Sequence, residues 1–167
     1  MKNMQLFQTD RLQINKVELT EVSKPDFLQQ IPGILTPAVT HALPPHFQGI
    51  ENSESAKNWL TNALSEGQVL SVMPIESNEL MGFVFLYQED KENLHLGYLL
   101  GESFQGKGFA KEMLNGLLRW CADYTETKSI VGGVETSNVA SASLLLKLGF
   151  TKTLDGTGDT EFYRYDF

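Results

Sequence analysis

"ESFQGKGFAKEML" (residues 102–114) holds two glycines two apart, a lysine between them, and then apolar residues at helical spacing. Ala110, Met113, Leu114, Leu117, Leu118 and Cys121 fall at offsets 0, 3, 4, 7, 8 and 11, which is one face of a helix. The start of a helix exposes N–H groups without intrahelical partners and carries a partial positive charge. Glycines there let the backbone approach an anion closely, so Gly106 and Gly108 fit a phosphate-binding turn to which Lys107 adds charge. The turn is not a P-loop, because no G-K-[ST] follows four spacer residues, and the dinucleotide fingerprint G-x-G-x-x-G fails at Lys111. Taken alone, a glycine pair serves turn geometry at least as readily as it serves an anion.

The flanking sequence predicts the elements around this turn. Upstream, "QVLSVMPI" (68–75), "ELMGFVFLYQ" (79–88) and "ENLHLGYLLG" (92–101) read as strands of an antiparallel meander. Downstream come a short buried strand, "SIVGGVET" (129–136), a helix, "NVASASLLLKLG" (138–149), and a closing strand, "EFYRYDF" (161–167). Asn138 is placed to cap the helix, and Gly149 stands where a left-handed residue ends one. Nearer the start, "LFQTDRLQINKV" (6–17) reads as one half-buried strand, and 20–31 as a short helix entered through Lys24-Pro25. Residues 52–67 form a helix capped by Ser53 and stopped by Gly67. Between these helices, residues 32–50 contain four prolines and two glycines, which predicts an irregular segment covering a site. The order is β-α-α-β-β-β-α-β-α-β, an α/β (α+β) domain with a mostly antiparallel sheet, and residues 1–167 are expected to be a single domain.

Composition narrows the function classes. Thirteen Lys and Arg against 21 Asp and Glu give a net charge of −8, which speaks against general affinity for nucleic acid or anionic membrane and mildly favours cationic partners. One cysteine, Cys121, permits no internal disulfide and fits a reducing, cytoplasmic setting. Residues 1–20 lack the apolar core of a signal peptide, and no apolar run reaches the ~20 residues that span a bilayer. His41, His46 and His95 have no partners at metal-ligand spacing, so no metal is expected.

Five stretches together resemble the GCN5-related N-acetyltransferases (GNAT) and, within them, the RimJ/RimL-like branch. "QGKGFA" matches the family's Q/R-x-x-G-x-G/A signature at Gln105, Gly108 and Ala110, and "TDRLQINKV", "ELMGFVFLY", "LHLGYLL" and "NVASASLLLKLGF" are similar to its other motifs in the same order. The resemblance covers nearly the whole chain. It implies the GNAT fold, a mostly antiparallel sheet with two splayed strands and flanking helices, and an acetyl-CoA-dependent N-acetyltransferase.

By that resemblance the diphosphate of acetyl-CoA rests on residues 105–110, that is Gln105, Gly106, Lys107, Gly108, Phe109 and Ala110. The pantetheine arm lies between strands near Tyr98 and Val131 and pairs with the backbone of Tyr98, Leu99 and Leu100. Gly132-Gly133 departs from the family pattern, and here a close approach and a bulge are both open. The tyrosine that many relatives carry seven residues after the asparagine is replaced by Leu145. In the RimJ/RimL-like branch a serine takes the thiol side, which is Ser141, with Asn138 beside it.

Candidates for the base are His95, whose ordinary pKa suits an amine proton, Glu135 at the end of the splayed strand, and Glu102. Direct transfer needs no covalent intermediate, so Cys121 is expected to be core. The acceptor is a small primary amine or a protein N-terminal residue, and the assembly a monomer or homodimer. Two other classes stay open: a non-catalytic acyl-CoA-binding module, and a nucleotide-phosphate-binding protein.

Overall fold

Strand β3 (Gln68–Pro74) sends Leu70 and Val72 into one buried cluster and Val69 and Met73 into another, so both faces of the sheet are covered. The computed structural model describes residues 4–167. Its eight strands lie in the order β1-β2-β3-β4-β5-β6-β8-β7, and every neighbouring pair is antiparallel except β5 with β6. The others are β1 (Met4–Gln8), β2 (Leu12–Lys16), β4 (Gly82–Gln88), β5 (Asn93–Leu100), β6 (Ser129–Glu135), β7 (Thr151–Lys152) and β8 (Thr160–Asp166).

Two core clusters sandwich this sheet. Helix α5 (Phe109–Tyr124) presses Met113, Leu114, Leu117 and Cys121 against Leu12, Ile14, Leu70, Val72 and Val84, as its spacing predicts. Helix α6 (Val139–Lys147) adds Leu145 to the same side. The opposite cluster gathers Trp59 and Leu60 of α4 (Ser53–Glu66) with Val69, Phe83 and Leu99. Burial of such apolar side chains at about 1.5–3 kcal/mol each dominates the stabilisation.

Four readings of the sequence change. Residues 6–17 form a hairpin, not one strand, because the Thr9 N–H and hydroxyl both bond to Leu12 and turn the chain at 9–11. The α4 cap is Asn52, whose side chain accepts from the Ser55 N–H at 2.8 Å while the Ser55 hydroxyl accepts from the Asn52 N–H. Residues 32–50 are not wholly irregular: α2 (Ile31–Ile34), α3 (Pro37–Thr40) and a 3₁₀ turn at Pro45–Phe47 each carry proline in the first two positions, so these prolines start turns rather than break them. The short β7 was not foreseen. The expected helix after Lys24 is α1 (Pro25–Leu28), entered by Pro25 at its first position.

One topological detail positions the site. The β5–β6 ladder runs from Asn93↔Ser129 to Leu96↔Gly132 and stops, while β5 stays paired with β4 to Leu100 and β6 stays paired with β8 to Glu135. The two strands therefore part beyond Leu96.

Candidate functional site

The gap between β5 and β6 opens into a cavity of about 530 Å³. Its walls are the glycine turn at 105–110 apart from Lys107, residues 98–100 of β5, Asn138 and Ser141 at the start of α6, and residues 38–43 of the segment after α2 except Thr40. Of the residues expected to hold the cosubstrate, only Lys107 is missing from this lining.

The turn is built from glycine by necessity. Gly106 and Gly108 have φ of 74° and 82°, a region that side chains disfavour, and Gly108 caps α5 without a side chain. Arg11, from the β1–β2 turn, braces it from behind. Its guanidinium donates to the Lys107 carbonyl at 3.2 Å, pairs with Glu112 at 2.7 Å, and stands 4.2 Å from the centroid of the Phe109 ring. Burial raises the Glu112 pKa, but hydrogen bonds from Thr9 and from the Arg11 N–H and guanidinium outweigh it and hold the carboxyl below its usual range. The sequence reading had the glycines but not this brace. The signal was "TDRL" itself, whose arginine sits one residue before the strand that packs under α5.

Strand alternation decides which backbone groups face the gap. Glu89 with Asn93 and Met81 with Gly101 are joined by N–H···O bonds, so odd-numbered residues of β5 bond to β4 and even-numbered ones face β6. Beyond Leu96, where β6 has left, the backbone groups of Tyr98 and Leu100 point into the opening. The Leu100 carbonyl is taken by the Gln105 side chain at 3.0 Å, which ties the turn to the strand end. The Leu99 N–H turns to β4.

Side chains complete the chemistry. Tyr98 reaches across the gap, and its phenol hydrogen-bonds the Ser141 hydroxyl. Burial pushes the phenol pKa above 10, only partly offset by that bond, so at neutral pH it is a protonated donor. Asn138 caps α6 by accepting from the Ser141 N–H at 3.2 Å, so its side-chain oxygen is engaged in capping while the residue lines the cavity. The sequence named Tyr98 for its backbone and missed its phenol.

The proposed bases are dispersed. His95 is paired with Glu89 at 3.1 Å in the part of β5 that still has β6 beside it, and it stands outside the lining of this cavity. Glu135 accepts from the Ser137 hydroxyl at 3.3 Å and likewise stands outside the lining. Glu102 accepts from Thr36 at 3.2 Å and ties the 32–50 segment to the turn. Cys121 is fully buried, with its thiol pKa pushed up to about 12 by burial. The β6–β8 register is unbroken through Gly132 and Gly133, so there is no bulge. The space a Gly133 side chain would fill belongs to the Phe162 ring, 3.1 Å from that position.

Among the described residues no group of three or more His, Cys, Asp or Glu is arranged to hold a metal, and no helix is long and apolar enough to cross a membrane.

Comparison with known proteins agrees with this architecture. The chain is 29% identical over 154 residues to the N-acetyltransferase p20 of Bacillus licheniformis, covering 89% of this chain and 84% of that one. It is 28% identical over 103 residues to the SPbeta prophage-derived N-acetyltransferase YokL of Bacillus subtilis, covering 60% of this chain and 58% of YokL. The chain thus spans less than two thirds of YokL. Among solved structures, RimL, the ribosomal L7/L12 α-N-protein acetyltransferase in complex with coenzyme A, matches at a TM-score of 0.79 and 17% identity over 97% of each chain. The microcin C7 self-immunity acetyltransferase MccE, in complex with acetyl-CoA and AMP, matches at 0.67 and 22% over 95% of this chain and 93% of that one. At these identities the structural likeness speaks to fold. The family model for the acetyltransferase (GNAT) domain matches residues 16–151, from the end of β2 through the start of β7, and on that match the chain belongs to the GNAT acetyltransferases.

Proposed function

We propose that this protein transfers the acetyl group of acetyl-CoA directly to a primary amine. The observation that carries the reading is the continuous cavity from the glycine turn to the parting of β5 and β6. One end offers helix-start N–H groups for a diphosphate, the middle offers strand backbone that β6 no longer pairs for an amide-rich arm, and the far end offers two hydroxyls.

The chain's own groups divide the work. First-turn amides of α5 bind phosphate oxygens, with Arg11 fixing the turn's shape. The backbone of Tyr98 and Leu100 takes the pantetheine as an added strand, and an N–H of this pair faces the thioester carbonyl, where negative charge develops. The Ser141 hydroxyl donates a hydrogen bond to the departing sulfur, which takes its proton from solvent, and Tyr98, kept protonated by burial, holds the Ser141 hydroxyl in place. The nitrogen forms its bond to the carbonyl carbon as the carbon–sulfur bond breaks, and the amine's excess proton leaves to solvent or to a rim group. Cys121, buried on the core face of α5, takes no part.

The test is thiol release from acetyl-CoA against a panel of amines and N-terminal peptides, with calorimetry of acetyl-CoA binding. Uptake of the cosubstrate and amine-dependent thiol release are expected. Failure to bind acetyl-CoA overturns the reading, and binding without turnover on any amine leaves a CoA-binding module in its place.

A further inference from the structure

A second cavity, about 280 Å³, lies on the α4 side of the sheet. It shares three residues with the first, Leu43, Tyr98 and Leu99, so the two chambers meet where β5 loses β6. Its length follows from register. Leu99 is at the junction, and Tyr87, paired with His95, is at the other end, four residues away along β5, or about 13 Å. The walls between are apolar: Pro44, Phe47, Ala63 and Phe85, with the Phe47 and Phe85 rings 5.5 Å apart. The polar side chains, His46, Glu66, Gln68 and Tyr87, belong to exposed residues at the rim.

We propose that this chamber takes the acceptor, and that the acceptor is a primary amine on an apolar, ring-sized body, of the arylalkylamine kind. The inference rests on the acetyl-transfer reading above and adds the substrate class to it. An amine that reaches the junction must leave the rest of its molecule among Phe47, Phe85 and Leu99. A flat apolar body gains by leaving water there. A second ammonium, as in a di- or polyamine, would be stripped of water with no carboxylate beside it until Glu66 at the rim. A peptide would have to lay unpaired backbone groups along the same apolar wall. Glu66 draws cations to the mouth.

The experiment compares kcat/KM for 2-phenylethylamine, putrescine, spermidine and an Ala- or Ser-terminated peptide at saturating acetyl-CoA. The arylalkylamine is expected to lead each of the others by about tenfold or more, the scale of discrimination by an apolar pocket. Ala63→Leu fills the chamber from α4 and is expected to raise KM for 2-phenylethylamine by about tenfold, with acetyl-CoA affinity unchanged. Phe47→Ala, which removes a half-buried ring from a short 3₁₀ turn, gives a second reading in the same direction if the first variant folds poorly. Turnover of putrescine, spermidine or the peptide at equal or higher kcat/KM overturns the substrate class while leaving acetyl transfer intact. Turnover of none of the four, with acetyl-CoA bound, also overturns it. Loss of acetyl-CoA binding in the unmodified protein instead defeats the parent reading.

Discussion

The Tyr98 phenol and the Ser141 hydroxyl are hydrogen-bonded across the gap where β5 leaves β6, joining a strand to the first turn of α6. Neither residue is near the other in sequence, and each faces the larger cavity. If Ser141 serves the thiolate and Tyr98 only holds Ser141, their mutants are not independent. Ser141→Ala is expected to lower kcat by about 10- to 100-fold, at the low end of losing a donor to developing charge, with little change in acetyl-CoA affinity. Tyr98→Phe keeps the ring and is expected to lower kcat about fivefold, the worth of one hydrogen bond of about 1 kcal/mol. The double mutant should match Ser141→Ala alone. Additive losses would show that Tyr98 acts by some other route.

Gly108→Asp places a side chain and a negative charge where φ is 82° and where the diphosphate is to lie. Acetyl-CoA binding measured by calorimetry should fall below detection while the circular dichroism spectrum stays native. Near-normal affinity would remove the phosphates from this turn.

The brace beneath the turn has a pH signature. The Glu112 carboxyl titrates lower in the folded protein than in the unfolded chain, whose ordinary value is 4.5. Its contribution to stability is therefore fully present above about that pH and is lost as the pH falls through the lower folded value. Glu112→Gln should cost about 1 kcal/mol at pH 7, roughly 2–4 °C in Tm at this chain length. The gap between mutant and parent melting temperatures should close in acid. A gap that holds unchanged to pH 3 would rule out the carboxylate as its source.

Cys121 should resist iodoacetamide at pH 8 in the folded protein and react fully in urea, since burial both hides the thiol and keeps it protonated. Rapid alkylation without unfolding would mean that α5 opens locally.

Much of this was legible because period and punctuation agree. The α5 face could be read from Ala110 to Cys121, and the glycine turn followed from the helix start it precedes. Parting of β5 and β6 came with the family resemblance; no local pattern of Leu96 or Gly132 announces it. The hairpin at residues 4–16 was hidden because Leu12 and Ile14 alternate just as a longer strand would, and the turn is made by Thr9, a residue common in strands too. In residues 32–50 prolines were read as breakers when three of them open helical turns. The Tyr98–Ser141 pair and the Arg11 brace span 43 and 96 residues of chain, and no spacing rule reaches that far. The apolar second chamber was equally invisible, since its walls come from five separate segments.

Leu43 forms part of the wall of both chambers. Any displacement of this one leucine by a guest on one side changes the room left on the other, and linkage makes that influence equal in both directions. The two substrates of such a protein would report on each other's affinity through a single aliphatic partition.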